Sequence, residues 1–166
     1  MLKMDQDPPF SHQEFLDKAK GLMSAKDYAE LSSLSGEDAG EPKSRLMRKW
    51  KDYKSLVLSV LVDQRARKLG LDDSRYKLKG KADGVLSERI NRIVNDMDPL
   101  RGELEILSIY FDFLSSVPVT DPFSLEILEI YSLKLELLEE SRSFSVEKGR
   151  SEFNRLFQKL GDDLSK

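Results

Sequence analysis

The sequence predicts an all-α fold, a single-domain helical bundle of about seven helices, on three observations. Apolar residues recur at steps of three and four through most of the chain. Residues that start and stop helices bracket those stretches at the right offsets. No run combines β-branched or aromatic alternation with flanking turns in the way a strand does. With 166 residues, 39% hydrophobic and 34% charged, the chain is long enough to bury one sizeable core and too apolar to stay unfolded. The organisation that follows is an N-terminal helical hairpin over 1–34, a loop over 35–42 and a main helical body over 43–166.

Pro8 and Pro9 make the first ten residues an extended lead-in. Ser11 and Glu14 have capping-box spacing, so hydroxyl and carboxylate can satisfy amides that the first helical turn leaves unpaired, and Phe15, Leu16, Ala19 and Leu22 follow as an apolar stripe. His12, at the first helical position, is expected to face solvent. Ser24 and Asp27 repeat the start signal for a short helix carrying Tyr28, Leu31 and Leu34. Residues 35–42, "SGEDAGEP", hold two glycines, a proline and three acids, and read as a loop.

The strongest helical pattern runs from about 42 to 69, where Leu46, Trp50, Tyr53, Val57, Val60 and Gln64 keep one face. Trp50 and Tyr53 are therefore expected as core aromatics. Gly70 stands where a left-handed C-terminal residue belongs, after Arg65, Arg67 and Lys68, whose charges suit the negative helix end. Residues 71–82 are polar and broken by Gly80, and a helix over about 84–95 follows with Val85, Leu86, Ile90, Ile93 and Val94. Asp98-Pro99 and Asp121-Pro122 each announce a helix, with Asp as cap and Pro at the first position. After the first of these, Leu100, Leu104, Leu107, Phe111 and Leu114 form a packing seam.

The segment after Asp121 is harder, because Leu133, Lys134, Leu135, Glu136 and Leu137 alternate with period two. Length and a Leu, Glu, Lys and Ile composition favour a helix that is apolar on more than one side. Ser145 can cap a last helix to about Leu160, with Gly161 as its stop. Gly149 inside its first turns would be less favourable than alanine by about 1 kcal/mol, so close packing is expected there.

Much chemistry is excluded by composition. There is no cysteine and one histidine, which removes disulfides, thiol catalysis and multi-histidine metal sites. "GKADG" at 80–84 lacks the remaining glycines of a phosphate loop, and the carboxylates of Glu126 and Glu129 read as a solvated helix face. No cofactor is expected. The opening "MLKMDQDPPF" lacks the basic-then-apolar plan of a secretory signal, so a cytoplasmic protein is expected.

The net charge of −3 conceals a split: residues 43–92 carry 15 Lys/Arg against 6 Asp/Glu, and residues 93–142 carry 3 against 11. The two halves can attract each other within the fold, or one can face a partner. Candidate partner-binding residues are Arg65, Arg67 and Lys68 on the basic side, and Arg142, Glu147, Lys148 and Arg150 at the corner between the last two helices. Trp50, Tyr53, Gly70, Phe111 and Gly149 are the candidate structural residues. A basic nucleic-acid-binding module using Arg65, Arg67, Lys68, Arg75, Lys77 and Lys79 is the alternative, and a carboxylate-based enzyme a further one.

"DPLRGELEILSIYFDFL" followed by "LEILEIYSLKLELLEESRSFSVEKGRSEFNRLF" resembles the C-terminal part of an uncharacterised bacterial family encoded with the V-type ATPase, the rotary A/V-type enzyme. The resemblance is carried by Lys134 to Glu139, Phe144 and the string Glu147-Lys148-Gly149-Arg150. "PPFSHQEFLDKAKGLMSAKDYAEL" is similar to the family's opening, and "SLVLSVLVDQRARKLGLD" takes the place of its long basic helix. The tyrosine-rich start and the arginine-asparagine pair of that helix are not matched. The resemblance implies a non-catalytic accessory or structural protein, similar to the helical subunit that seats the central stalk on the rotor ring. It also implies ATPase subunits as partners and a position peripheral to the inner membrane through them.

Overall fold

The computed structural model describes residues 2–4, 6–35, 44–71 and 82–144, with the backbone alone at Ser35 and Asp96. Among these residues all regular structure is helical: α1 His12–Leu22, α2 Ala25–Ser32, a 3-10 turn Ser33–Ser35, α3 Arg45–Lys68, α4 Gly84–Asp96, α5 Pro99–Ser116 and α6 Leu125–Ser143. Six helices are thus described against about seven expected. The anticipated seventh, with Gly149, and nearly all of the loop over 35–42 lie outside the described residues.

Local chemistry sets the helix starts. Ser11, Ser24, Ser44, Asp83 and Asp98 each accept a hydrogen bond on the side chain from the amide three residues on, at 2.7 to 3.1 Å. At Ser11 the reciprocal bond from its own amide to Glu14 Oε2 completes a capping box. The end of α3 is equally well defined. Gly70 adopts φ 66°, and the amides of Gly70 and Leu71 donate back to the carbonyls of Arg67 and Ala66, the pairing of a Schellman motif.

Asp121-Pro122 does not start a helix. The Asp121 carboxylate accepts from the Phe123 amide two residues on, the Ser124 hydroxyl donates to the Asp121 carbonyl, and α6 begins only after Ser124. An Asp side chain that satisfies the amide at i+2 makes a turn of its own, which competes with capping.

Two apolar clusters fill the interior. The first joins α1, α2, the start of α3, the end of α5 and α6 through Phe15, Leu31, Leu46, Leu114, Leu135 and Leu138. The second joins the later half of α3 to α4 and the earlier half of α5 through Val57, Leu61, Leu86, Ile90, Ile93 and Ile109. Because α3 enters the clusters in one chain order and α5 in the other, these helices run antiparallel. Gly102 allows α5 to lie close on α4, since a Cβ there would stand 3.3 Å from Ile93 Cγ2. The seam expected on α5 is accordingly two-sided: Leu107, Phe111 and Leu114 are buried, Leu100 and Leu104 are half-buried, and Ile106 and Ile109 fill the α4 side.

Helix α6 is enclosed. Ser132, Leu133, Lys134 and Leu135 are all buried, and four consecutive residues at about 100° each point in every direction around a helix. α1, α2, the 3-10 turn and α5 surround it. No described helix is long and apolar enough to cross a membrane.

Candidate functional site

The outer face of α3 is built by helical geometry. At about 100° per residue, Lys51, Ser55, Leu58, Val62, Arg65 and Leu69 fall within roughly 40° of one line, about 100–140° round the helix from the buried Leu46, Trp50 and Val57. Leu58 and Leu69 are 58% and 72% exposed. Arg48 and Lys54 flank the line, and Asp52 and Asp63 lie farther round, so the face is apolar and cationic.

Of the sequence-predicted residues, Arg65 lies on this face and forms no ion pair among the described residues. Arg67 pairs with Asp63 at 2.9 Å, and the Lys68 ammonium donates to the Val94 carbonyl, tying the last turn of α3 to α4. Arg142 reaches across the surface to the N-terminal lead-in: its Nη2 donates to the Gln6 carbonyl at 2.7 Å and pairs with Asp7 at 2.9 Å. Glu147, Lys148 and Arg150 lie outside the described residues.

Of the candidate structural residues, Trp50, Tyr53 and Phe111 lie where α3 and α5 approach, Gly70 closes the far end of α3, and Gly149 lies outside the described residues. Trp50 is buried edge-on to Tyr110, with ring centroids 5.4 Å apart, and Tyr53 stacks on Phe113 at 4.0 Å. Phe111 is buried and receives the Lys134 ammonium 4.8 Å from its ring centroid. Burial, with Tyr53, Glu140 and Glu103 nearby, pushes the Tyr110 hydroxyl up to about 12.

Basic and acidic halves of the chain also meet inside the fold. Arg89 of α4 donates to Glu105 at 2.8 Å, Asp112 at 2.7 Å and Ser108 at 3.2 Å on α5. Burial opposes its charge, and the hydrogen bonds to Asp112 and Glu105 outweigh that penalty, so the guanidinium is held above its ordinary pKa. Three acceptors on successive turns make Arg89 a clamp between helices.

His12 does not face solvent. Its amide donates to Glu139 Oε1 at 2.7 Å, and its Nε2 is 2.7 Å from the Ser132 hydroxyl and 3.6 Å from Glu136. The capping box brings the first turn of α1 down on α6, where Ser132 supplies the polar partner that a buried imidazole needs. This trio lacks the geometry of a nucleophilic relay. Serine and carboxylate address the same ring nitrogen, whereas a relay holds the base by its second nitrogen, and Ser132 is 0% exposed.

Glu129 overturns its reading as part of a solvated face: it is 1% exposed. It lines a cleft of about 480 Å³ where the end of α2 and the start of α6 meet the start of α3, with Glu30, Ser44, Arg45, Lys49 and Glu126 also on its walls. Burial pushes the Glu129 carboxyl up, the hydrogen bond from the Ser44 hydroxyl opposes that rise, and Glu30 and Glu126 reinforce it. Its Oε1 is buried without a hydrogen-bond partner among the described residues. A signal was present in the sequence: Glu129 shares a helix face with Leu125, Ser132 and Leu133. No group of three or more acidic or histidine side chains among the described residues is arranged to hold a metal ion.

No family model matches this chain, and no curated protein or solved structure matches it. Among the described residues the molecule offers a helical fold, an apolar, cationic face on α3 and a charged cleft beside Glu129.

Proposed function

We infer that this chain is a non-catalytic helical binding protein, an accessory or structural component associated with a bacterial V-type ATPase. The observation that carries the binding role is the outward line of Leu58, Val62 and Leu69 set among Lys51, Lys54 and Arg65. Leucines held in water at a regular spacing gain free energy when covered, and the surrounding cations select an acidic, amphipathic partner surface. The ATPase as the source of that surface rests on the resemblance of the segments around Lys134–Glu139 and Glu147–Arg150. A cytoplasmic place beside the inner membrane belongs to the same reading.

The acid-free arc of Arg48, Lys51, Lys54 and Arg65 also favours a second reading, a nucleic-acid-binding module. Phosphates would neutralise the cations but leave the leucines uncovered, which ranks it second. If it were right, the logarithm of affinity would fall linearly with the logarithm of salt and would be indifferent to the uncharged substitution Leu58→Ser.

Affinity purification of the tagged chain from its native bacterium, followed by mass spectrometry, tests the first reading. ATPase subunits are expected to co-purify, and the double substitution Leu58→Glu, Leu69→Glu should weaken their capture by at least about tenfold. Absence of every ATPase subunit removes the ATPase assignment. Undiminished capture by the double variant removes the α3 face.

A further inference from the structure

We propose that the groove at the far end of α3 is a self-association surface, which a second copy of this chain covers about a two-fold axis. The groove has a volume of about 330 Å³. Ile93, Val94 and Met97 make an apolar floor, the last turn of α3 forms one wall, and the first turn of α5 forms the other. Leu69 stands on the α3 wall at 72% exposure, so the chain's own leucine leaves the hollow open. It is fixed there as the C-cap of α3, just before the left-handed Gly70. An apolar hollow and an exposed leucine beside it gain free energy when both are covered together.

The charges on the rim name the occupant. Each wall carries two, and one of each two is already engaged: Lys68 donates to the Val94 carbonyl, and Asp98 accepts the Arg101 amide at 3.0 Å and pairs with its guanidinium at 3.3 Å. Arg65 on the α3 wall and Glu103 on the α5 wall are exposed, and neither forms an ion pair or a side-chain hydrogen bond among the described residues. Opposite signs on opposite walls are what a two-fold axis along the groove requires. The rotation lays the α3 wall of one copy on the α5 wall of the other, so that Arg65 meets Glu103 twice, and it brings Leu69 of each copy over the hollow of the other. An unrelated partner would have to supply a matching cation and anion of its own, whereas this chain carries both. Pairing of this kind needs no ATPase subunit, and the purified chain alone suffices to observe it. The groove shares Arg65 and Leu69 with the α3 outer face, while Leu58 lies about 16 Å back along the helix from Leu69 and serves as a control.

Sedimentation velocity of the purified full chain, at concentrations up to about 200 μM, tests the pairing. The native chain should pass from monomer to dimer with a dissociation constant at or below about 50 μM. Arg65→Glu and Glu103→Arg should each weaken the dimer by about tenfold or more, because each sets like charges against one another at two symmetric places. The combined variant restores opposite signs and should return to within about threefold of the native affinity. Leu69→Ser should weaken the dimer by about tenfold, and Leu58→Ser should leave it unchanged. All four positions are exposed, and circular dichroism checks that each variant keeps its helix content. A native chain that stays monomeric at about 200 μM overturns the pairing. So does a dimer that both single reversals leave intact, one that the combined variant fails to restore, or one that Leu58→Ser dissociates and Leu69→Ser does not.

Discussion

The two apolar clusters differ in what they bury besides hydrocarbon. The cluster of α3, α4 and α5 contains Val57, Leu61, Ile90, Ile93 and Ile109, and keeps its charged clamp, Arg89, at its edge. The cluster around α6 is threaded with polar groups: His12, Ser132, Glu129 and Lys134 are all buried within α6 or against it. A core of the first kind follows from burial alone. The second kind costs desolvation at each polar group, and only part of that is returned by hydrogen bonds or by the Phe111 ring. Burial lowers the Lys134 pKa, with Asp112 opposing, and raises that of Glu129, so both groups are strained in the same sense: their charged forms are disfavoured in the fold. The contrast separates a part of the molecule arranged for stability from a part where stability has been conceded.

The largest expected effects test whether the clusters unfold as one unit. Ile90→Ala in one and Leu135→Ala in the other remove side chains that are 0% exposed, and each should lower stability by about 2–5 kcal/mol in urea denaturation followed by circular dichroism. Because α3 and α5 run through both clusters, each variant should retain a single transition. A biphasic curve in one variant alone would make the clusters separate units.

An intermediate effect separates the charged edge from the polar interior. Arg89→Met deletes three hydrogen bonds and should destabilise by about 2 kcal/mol, less at high salt, because the clamp is partly solvated. His12→Ala leaves the fully buried Ser132 hydroxyl without its imidazole and should cost about 1–2 kcal/mol. Equal salt dependence in the two denaturation series would erase the distinction.

The smallest effect has the opposite sign. Glu129→Gln removes a disfavoured charge and should stabilise the free protein at neutral pH by about 1 kcal/mol. With the folded pKa raised, the folded state binds the proton more tightly than the unfolded chain. The carboxyl's contribution is fully present below the ordinary carboxylate pKa and is lost as pH rises through the folded value. The advantage of Glu129→Gln should therefore grow with pH across that window and vanish in acid. A pH-independent difference between the two melting curves would mean that Glu129 titrates in the fold as it does in water.

What could be read in advance divides along the same line. The all-helical class, the serine caps at 11 and 24, the Asp98-Pro99 start and the left-handed Gly70 are local matters, decided by a few consecutive residues, and the sequence displays them. For α6, length and composition give the helix, but not the neighbours that bury it. Its period-two alternation belongs to the middle of the helix, where Ser132 to Leu135 are buried in every direction and no solvent face marks the period of 3.6. His12 and Glu129 were assigned to water by residue type, and only the arrival of α1, α2 and α3 from distant parts of the chain buries them. Asp121 failed for a smaller reason, because the same side chain can close a turn or cap a helix and the choice is made by the neighbouring Ser124.

Trp50 gives this arrangement a practical use. It is the single tryptophan of the chain, buried at 7% exposure in the α6 cluster, and Tyr110 and Tyr53 lie within the distance at which tyrosine passes excitation to an indole. Its emission is therefore a native optical label for one half of the interior, blue-shifted while the cluster is dry and red-shifted once water enters. The other cluster holds no indole, so its loosening is silent in that signal until it disturbs the shared helices α3 and α5.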